Sequence, residues 1–234
     1  MNSSARGAIM DRIRQAGRSA APEQIARELE SFGSAAAAHL PAADPCTAFL
    51  ANVLRNNGSV DCADNRNDAV QLIGRYLYRR FRTHKLVAGN DPRLAAMPWR
   101  EAGVLPRFGA AENSDSIALS YARLAVAETG AIVTYTGRSN SARNTLLPED
   151  HLVLVNREDL VVSLEAAWQR IREDIRASGR PRGIQFIAGP SSTADVEGKL
   201  VMGAHGPRHW HVILVGEIAA GALDEARALA TGPW

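Results

Sequence analysis

The sequence is poor in cysteine and has no long apolar run. Its 234 residues include two cysteines, Cys46 and Cys62, which are too few for a disulfide framework and too few for an iron–sulfur cluster, since such a cluster usually takes about four thiolates. No apolar run approaches the roughly 18 residues that a membrane span needs. We therefore expect no bound cofactor and no membrane span, so that any redox centre with which this chain works belongs to another protein.

The chain also lacks an excess of charge of either sign. Its 27 Lys+Arg and 25 Asp+Glu leave a formal net charge of +2, and this gives no global field that would steer the protein onto nucleic acid or an anionic membrane. Lysine is scarce, because Lys85 and Lys199 are its only two occurrences, and arginine supplies the rest of the positive charge. The amino-terminal stretch has no apolar block followed by a cleavage site, so we expect a cytoplasmic protein.

The remaining composition is that of a folded protein with an arm at its amino end. Hydrophobic residues make up 46% and charged residues 22%, as in ordinary globular domains. Helical spacing predicts helices over 4–17 and 22–32, and an Ala-rich stretch without periodicity follows from Gly33 to Pro45. The expected organisation is a helical arm and linker over residues 1–45 and a main domain over residues 46–234.

After Pro45, helical segments alternate with short β-branched runs, which is typical of an α/β domain. Several runs are apolar throughout, as expected for strands whose two faces are both covered by helices. We therefore predict an open, mostly parallel sheet flanked by helices. Strands are expected at 59–63, 85–88, 132–135, 152–155, 184–188 and 212–215, and helices at 46–56, 68–82, 116–126, 160–177, 193–202 and 217–230.

The first candidate site is the polar segment that follows the fifth predicted strand. From Gly189 it reads Gly-Pro-Ser-Ser-Thr-Ala-Asp-Val-Glu-Gly, and Ser192 and Asp195 have the spacing of a helix capping box. A helix that begins at Thr193 would aim free backbone N–H groups at the carboxyl edge of the sheet, where open α/β folds bind ligands. A role in capping this helix, without any ligand, would also explain the presence of the serines. Asp195 and Glu197 would point in different directions on this helix, and we expect at least one of them to line a site.

A second candidate site precedes the predicted strand at 132–135. Glu128, Thr129 and Gly130 place a carboxylate, a hydroxyl group and a permissive backbone just before the amino end of this strand. Turn chemistry explains the same residues equally well, because both side chains could bond to local backbone groups. The sequence leaves both interpretations open.

Three histidines lie close together near the end of the chain. His205, His209 and His211 form an H-x3-H-x-H cluster, and two of them would share one face of a strand, as metal ligands require. Ordinary hydrogen bonding at the start of a strand explains the pattern as well. We predict no metal site.

Arginine-rich segments occur at two places. Four arginines interleave with three aromatic residues in the predicted helix at 68–82, and amphipathicity alone puts the arginines outside and the aromatic rings on the sheet. We therefore predict no nucleic-acid surface there. The long polar loop over 136–150 carries Arg138 and Arg143 and is expected to be a lid, a partner contact or simply a long loop.

Together, the polar segments resemble those of a known family. Glu128-Thr129-Gly130, the string GPSSTADVEG from Gly189, and the string GAHGPRHWHVIL from Gly203 are similar to motifs of the lactate-utilisation (LUD) domain family, in particular its short protein C type. The resemblance covers roughly residues 57–216. It departs from the family pattern at Ser192, where a basic residue is usual.

The resemblance implies an open α/β fold similar to that of sugar-phosphate isomerases and CoA transferases. It also implies a bacterial protein that takes part in the oxidation of L-lactate to pyruvate together with iron–sulfur oxidoreductase partners, which would carry the clusters. The matched residues would surround one pocket for a small organic acid or anion. Its catalytic groups would be Glu128, Asp195, Glu197 and His205, and its binding groups Thr129, Gly130, Gly189, Ser191, Thr193 and Gly206.

Two other classes of function stay open at this point. One is a free-standing enzyme that acts on a small anionic or thioester substrate, with Glu128 or Glu197 as nucleophile or base. The other is a structural interaction module without chemistry of its own.

Overall fold

In a computed structural model of the chain, residues 3–17, 20–33, 36–196 and 199–231 are described, with residues 3–4, 194–196 and 199–200 described by their backbone alone. Contacts divide the chain into two compact units, Met1–Ala37 and Ala38–Trp234. The first unit contains helices α1 (Ser3–Ala16) and α2 (Pro22–Ser31). None of the described helices is both long enough and apolar enough to cross a membrane.

The second unit contains a main sheet, a smaller sheet and a hairpin. Its helices are α3 (Pro45–Arg55), α4 (Arg66–Phe81), α5 (Pro92–Ala95), α6 (Ala142–Leu146), α7 (Leu164–Ser178) and α8 (Ala222–Thr231), and short 3-10 helices span Trp99–Ala102 and Arg157–Asp159. Its strands are β1 (Ser59–Ala63), β2 (Lys85–Ala88), β3 (Leu105–Phe108), β4 (Ile117–Tyr121), β5 (Leu124–Val126), β6 (Ala131–Thr136), β7 (Asp150–Asn156), β8 (Leu160–Val161), β9 (Gly183–Ile187), β10 (Ser192–Val196), β11 (Lys199–Met202) and β12 (His209–Val215).

Capping residues explain where the longer helices begin. The Asp44 carboxylate accepts a hydrogen bond from Thr47 N at 2.9 Å, and Pro45 is the first residue of α3, where its missing N–H group costs nothing. Asn65 caps α4 in the same way. Ser163 caps α7 by accepting from Ala166 N at 3.2 Å.

The main sheet has the strand order β1-β12-β7-β4-β2-β3, and all of its neighbouring strands pair in parallel. Helices cover both faces: α4 and α5 contribute to the core on one face, and α3 and α8 contribute to the core on the other. Because both faces are covered, the central strands are apolar along most of their length. The predicted open, mostly parallel sheet flanked by helices is confirmed.

The direction of the chain reverses between two neighbouring strands of this sheet. After β2 the chain passes through α5, on the same face as α4, to β3 at the edge. After β4 it passes through the smaller sheet, on the opposite face, to β7. Connections that leave adjacent strands in opposite directions open a crevice at the carboxyl ends of those strands, and ligands of open α/β proteins bind in such crevices.

The smaller sheet has the strand order β8-β5-β6-β9. Strand β6 is antiparallel to both β5 and β9, and α7 covers one face of the sheet through Ala167 and Ile171. The strand expected at 184–188 therefore exists, as β9, but it lies outside the main sheet.

Two predicted helices are wrong. Residues 116–126 form strands β4 and β5, and β4 is buried at every position; an apolar run of this kind fits a buried strand as well as a helix, and its central place in the sheet decides between them. The described part of the segment predicted as a helix over 193–202 forms two antiparallel strands, in which Thr193 of β10 pairs with Val201 of β11. The β-branched residues in this segment favour an extended backbone over a helix.

Candidate functional site

The two motif-bearing turns of the smaller sheet lie side by side. Strands β6 and β9 pair with Ile132 opposite Ile187, and this register continued by two residues places Gly130 opposite Gly189. Both glycines have positive φ angles, +66° and +125°, which side-chain-bearing residues rarely adopt. The structure thus brings the Glu128-Thr129-Gly130 turn and the start of the Gly-Pro-Ser-Ser-Thr segment together.

The end of α3 holds both turns. Asn52 Nδ2 donates to the carbonyl oxygen of Ala127 at 2.8 Å, and Asn56 Nδ2 donates to the carbonyl oxygen of Thr129 at 2.8 Å. A Cβ atom at Gly130 would lie 2.6 Å from the backbone of Asn52, and one at Gly189 would lie 2.5 Å from the Asn56 carbonyl oxygen. Sequence reasoning missed both asparagines, although their i, i+4 spacing would have placed them on one helix face.

Glu128 and Thr129 both bond to backbone groups near them in space. Glu128 Oε2 accepts from Leu164 N, the first residue of α7, at 3.0 Å, which satisfies one of the free N–H groups at that helix end. Thr129 Oγ1 accepts from Ala131 N at 3.3 Å. The turn interpretation therefore applies to both side chains. Within the described residues Glu128 Oε1 has no hydrogen-bond partner, so half of a partly exposed carboxylate is available to a ligand.

Ser191 ties the hairpin to the loop that follows it. Its backbone N–H donates to Pro207 O at 2.8 Å, its carbonyl oxygen accepts from Gly203 N at 2.8 Å, and its hydroxyl accepts from His205 N at 3.3 Å. A Cβ atom at Gly206 would lie 3.2 Å from Ser191 Cβ. Ser191, His205 and Gly206 are therefore brought together in the structure.

A shallow cleft of about 390 Å³ lies at this loop. Its lining residues are Leu147, Pro148, Glu149, Gly203, Gly206 and Arg208. Sequence reasoning did not select Glu149 or Arg208, although Arg208 stands directly after the Gly-Pro pair of the motif. One cation and one carboxylate make this cleft polar without giving it a strong field.

Because β10 and β11 are strands, the residues predicted at a helix end in this segment have a different environment. Thr193 is half-buried and Ser192 is exposed, and Asp195 lies in β10, so no capping box forms and no helix end is available here for an anion. Glu197 lies outside the described residues.

The histidines do not converge. His211 is buried, and its Nδ1 lies 2.8 Å from Ser59 Oγ, whereas His205 is exposed on the loop and His209 is half-buried at the start of β12. The interaction of His211 Nε2 with Asp61 Oδ2, at 3.4 Å, lowers the pKa of Asp61, although burial opposes the shift. Among the described residues, no group of three or more His, Cys, Asp or Glu side chains could hold a metal ion.

A buried carboxylate at the amino edge of the main sheet was also missed. Asp150 is fully buried and accepts from Tyr76 Oη at 2.6 Å and from Arg80 Nε at 2.7 Å. Burial raises the pKa of Tyr76, and the bond to Asp150 adds to the shift. Of the arginines in the predicted amphipathic helix, Arg80 thus reaches inward to a buried partner. Its hydrocarbon stem allows this while part of the side chain stays in water.

Comparison with known proteins gives one matching family model and several relatives. Residues 110–215 match the model of the LUD domain. The chain is 29% identical over 153 residues to a protein of Exiguobacterium sp. and 27% identical over 155 residues to one of Macrococcus caseolyticus, both named lactate utilization protein C. A protein of the same name from Bacillus subtilis is 32% identical over 104 residues.

These matches cover parts of the proteins compared. The first two cover 62% of this chain and 66% and 65% of the relatives, and the third covers 44% and 43%. A crystal structure of a DUF162 family protein from Deinococcus radiodurans superimposes with a TM-score of 0.53 at 22% identity, covering 74% of this chain and 96% of the other. At this identity the likeness supports the fold alone.

Proposed function

We propose that the chain takes part in lactate utilisation, because residues 110–215 match the model of the LUD domain, the family that the sequence motifs resemble. The names of its relatives support the proposal. The observation that carries it is the meeting of the motif segments: the Gly130 and Gly189 turns both pack on the end of α3, closely enough that a Cβ atom at either would collide with Asn52 or Asn56.

In the finer form of this proposal, the chain is a cytoplasmic component that acts with iron–sulfur oxidoreductase partners in the oxidation of L-lactate to pyruvate. We assign the clusters to the partners, because the two cysteines of this chain are fewer than the roughly four thiolates that a cluster usually takes. Cys46 is buried, and burial raises the pKa of its thiol to about 11 and that of Cys62 to about 12.

The proposed site consists of the two turns and the loop fastened by Ser191. Glu128 offers its free carboxylate oxygen as a proton acceptor or as a partner for a ligand hydroxyl group. Ser191, Thr129 and the backbone around Gly130, Gly189 and Gly206 would bind the small organic acid, and His205 would supply an exposed imidazole. Thr193 and Asp195 remain in the proposed site, now on strand β10 in place of a helix, and Glu197 remains a proposed member that lies outside the described residues.

The test is growth on L-lactate of a strain that lacks the gene and is complemented with Glu128→Gln. Glutamine keeps a carbonyl oxygen for Leu164 N, so the variant is expected to fold normally while its charge is lost. Glu165→Gln is the matched control, because Glu165 is an exposed acidic residue in the first turn of the same helix. We expect Glu128→Gln to abolish growth on lactate and Glu165→Gln to support it.

Three results would contradict parts of the proposal. Normal growth with a folded Glu128→Gln protein removes Glu128 from the catalytic groups. Normal growth on lactate without the gene rejects the role in lactate utilisation itself. If the purified chain alone turns over L-lactate with a common electron acceptor, the chain is a free-standing enzyme and the accessory role is rejected.

A further inference from the structure

One cleft of the second unit has four arginines among its lining residues. It has a volume of about 910 Å³, and its charged and hydroxyl-bearing walls include Arg123, Arg138, Arg180, Arg182, Tyr135 and Asp174. It is called the arginine cleft below. We infer that the arginine cleft binds a small ligand through a diphosphate or longer polyphosphate group.

Three of the four arginines have no carboxylate partner. Arg123 forms two 2.8 Å hydrogen bonds to Asp174 and one of 3.2 Å to Asp159. Tyr135 Oη also donates to Asp174 at 2.8 Å. Although burial alone would raise the pKa of Asp174, the bonds from Arg123 and Tyr135 lower it, so this carboxylate stays ionised and fully engaged.

The charge that remains is positive. Within the described residues, the guanidinium groups of Arg138, Arg180 and Arg182 make no hydrogen bond and no ion pair, whereas Arg80, Arg93 and Arg107 elsewhere in the chain are each paired with a carboxylate. Four arginines and one aspartate give the cleft walls a formal charge of +3. Arginine is common in this sequence, so its presence alone indicates little; what distinguishes the cleft is that three such arginines line one concave surface.

The backbone of Arg182 is held by a hydrogen bond to the smaller sheet. Arg182 N donates to Thr136 O at 3.2 Å, one residue beyond the last β6–β9 pair, Thr136 with Gly183. Pro181 stands between Arg180 and Arg182, and its ring fixes its own φ angle. Segments that are already ordered lose less entropy when a ligand binds.

The loop that carries Arg138 is anchored by hydrogen bonds. Gly137 N donates to Asn140 O at 2.9 Å, and the buried Asn140 side chain accepts from Ser120 Oγ at 3.2 Å. Arg138 therefore sits in a short loop whose two ends are both held. The polar loop over 136–150, which the sequence left open as a lid, a partner contact or a simple loop, thus contributes Arg138 to the lining of this cleft.

The arginine cleft lies at the crevice where the main sheet reverses direction. Arg123 follows the carboxyl end of β4 by two residues. Ser139, another lining residue, approaches Gly89 at the carboxyl end of β2, where a Cβ atom would lie 2.9 Å from the Ser139 carbonyl oxygen. Strands β2 and β4 are the pair whose connections leave in opposite directions, so the position is one at which open α/β sheets bind ligands.

Charge and size together favour a small polyphosphate. Guanidinium groups bind phosphate oxygens through pairs of hydrogen bonds, and three unpaired groups suit a ligand with several anionic oxygens. A cleft of about 910 Å³ lies in the usual range of roughly 300–1,000 Å³ for small-molecule sites. A net charge of +2 for the whole chain gives no wider field for a nucleic acid.

The inference does not depend on the proposed function. The arginine cleft adjoins Thr136 at the carboxyl end of β6, whereas the Gly130 turn precedes the amino end of the same strand. A variant of either site can therefore be examined without altering the other.

The test is calorimetric titration of the full chain with inorganic pyrophosphate at low salt. The Arg138→Gln/Arg182→Gln double variant is expected to bind at least about tenfold more weakly, since it loses charge-assisted hydrogen bonds. The Arg172→Gln/Arg176→Gln variant removes the same charge from exposed positions of α7 outside the cleft and is expected to bind like the unaltered protein. If the first double variant does not fold, the single variants Arg138→Gln and Arg182→Gln replace it.

Several outcomes would overturn the inference. These are an absence of pyrophosphate binding, equal binding by the cleft variants and the unaltered protein, or an equal loss in both double variants. Citrate binding as tight as pyrophosphate would show that the site does not select phosphate. A single-stranded RNA oligonucleotide could bind more tightly than pyrophosphate and lose this binding in the cleft variant. That result would show that the cleft binds a nucleic acid and not a small ligand.

Discussion

We expect the buried imidazole of His151 to make the folded protein less stable in mild acid. His151 is almost completely inaccessible in β7; its Nε2 lies 3.0 Å from Ser120 Oγ, and its Nδ1 has no partner among the described residues. Burial lowers the pKa of this imidazole from its ordinary value of 6.5 to about 4, because a protonated ring would carry an unpaired charge into the core.

The direction of the pH effect follows from where the proton binds. Between roughly pH 6.5 and pH 4 the unfolded chain takes up a proton at His151 and the folded chain does not, so the free energy of unfolding falls as the pH falls. At about pH 4.5 the expected loss from His151 alone is about 2.5 kcal/mol relative to pH 7. The lowered pKa values of Asp44, Asp61 and Asp174 act in a different window, because their stabilisation is lost as the pH falls below their ordinary value of 3.8 and through their folded values.

The assay is urea unfolding at a series of pH values between about 7 and 4.5, applied to the unaltered chain and to His151→Gln. Glutamine is uncharged at every pH and keeps a polar atom near Ser120, so the variant is expected to be less stable at neutral pH and to lose most of the pH dependence. His84→Gln, at an exposed position, is the control and is expected to keep it. An equal pH dependence in His151→Gln and the unaltered chain would refute the argument from burial.

The remaining predictions concern the two turns at the end of α3. Asn56→Ala leaves the Thr129 carbonyl oxygen without its side-chain donor and is expected to lower the free energy of unfolding by about 1–3 kcal/mol in urea; an unchanged midpoint would contradict the importance of this bond. Gly189→Ala adds a Cβ atom 2.5 Å from the Asn56 carbonyl oxygen at a φ of +125° and is expected to lower the melting temperature well below that of Gly137→Ala, whose added atom meets open space. Equal melting temperatures for the two alanine variants would contradict the close approach.

Periodicity was sufficient to predict the elements in which local sequence and tertiary environment agree. Helix α4 has a capping asparagine and an apolar face formed by Val70, Ile73 and Leu77, and each of these features can be read from the sequence. In segment 116–126 the local sequence and the tertiary environment favour different structures. Its alternation of Ala, Leu and Val suits a helix, and only its position between two other strands shows that both of its faces are buried.

The candidate site was predicted more completely in its backbone than in its side chains. Gly130 and Gly189 stood out because glycine permits backbone conformations that other residues avoid, and both have positive φ angles. Asn52 and Asn56 did not stand out, because an asparagine on an amphipathic helix has no distinguishing pattern until its partner turn is known. The partners lie more than 70 positions away in the chain, a distance at which spacing carries no information.

The wrong helix at 193–202 also bears on where an anion can bind. A helix end at Thr193 would have supplied positive partial charge to the motif segment, but the hairpin removes it, and the nearby cleft balances Arg208 against Glu149. The strongly cationic surface lies instead at the carboxyl ends of β2 and β4, on residues that the motif does not include. A monocarboxylate such as lactate needs one cation and a hydrogen-bonding partner for its hydroxyl group, whereas a polyphosphate needs several guanidinium groups. The two clefts therefore suit ligands of different charge.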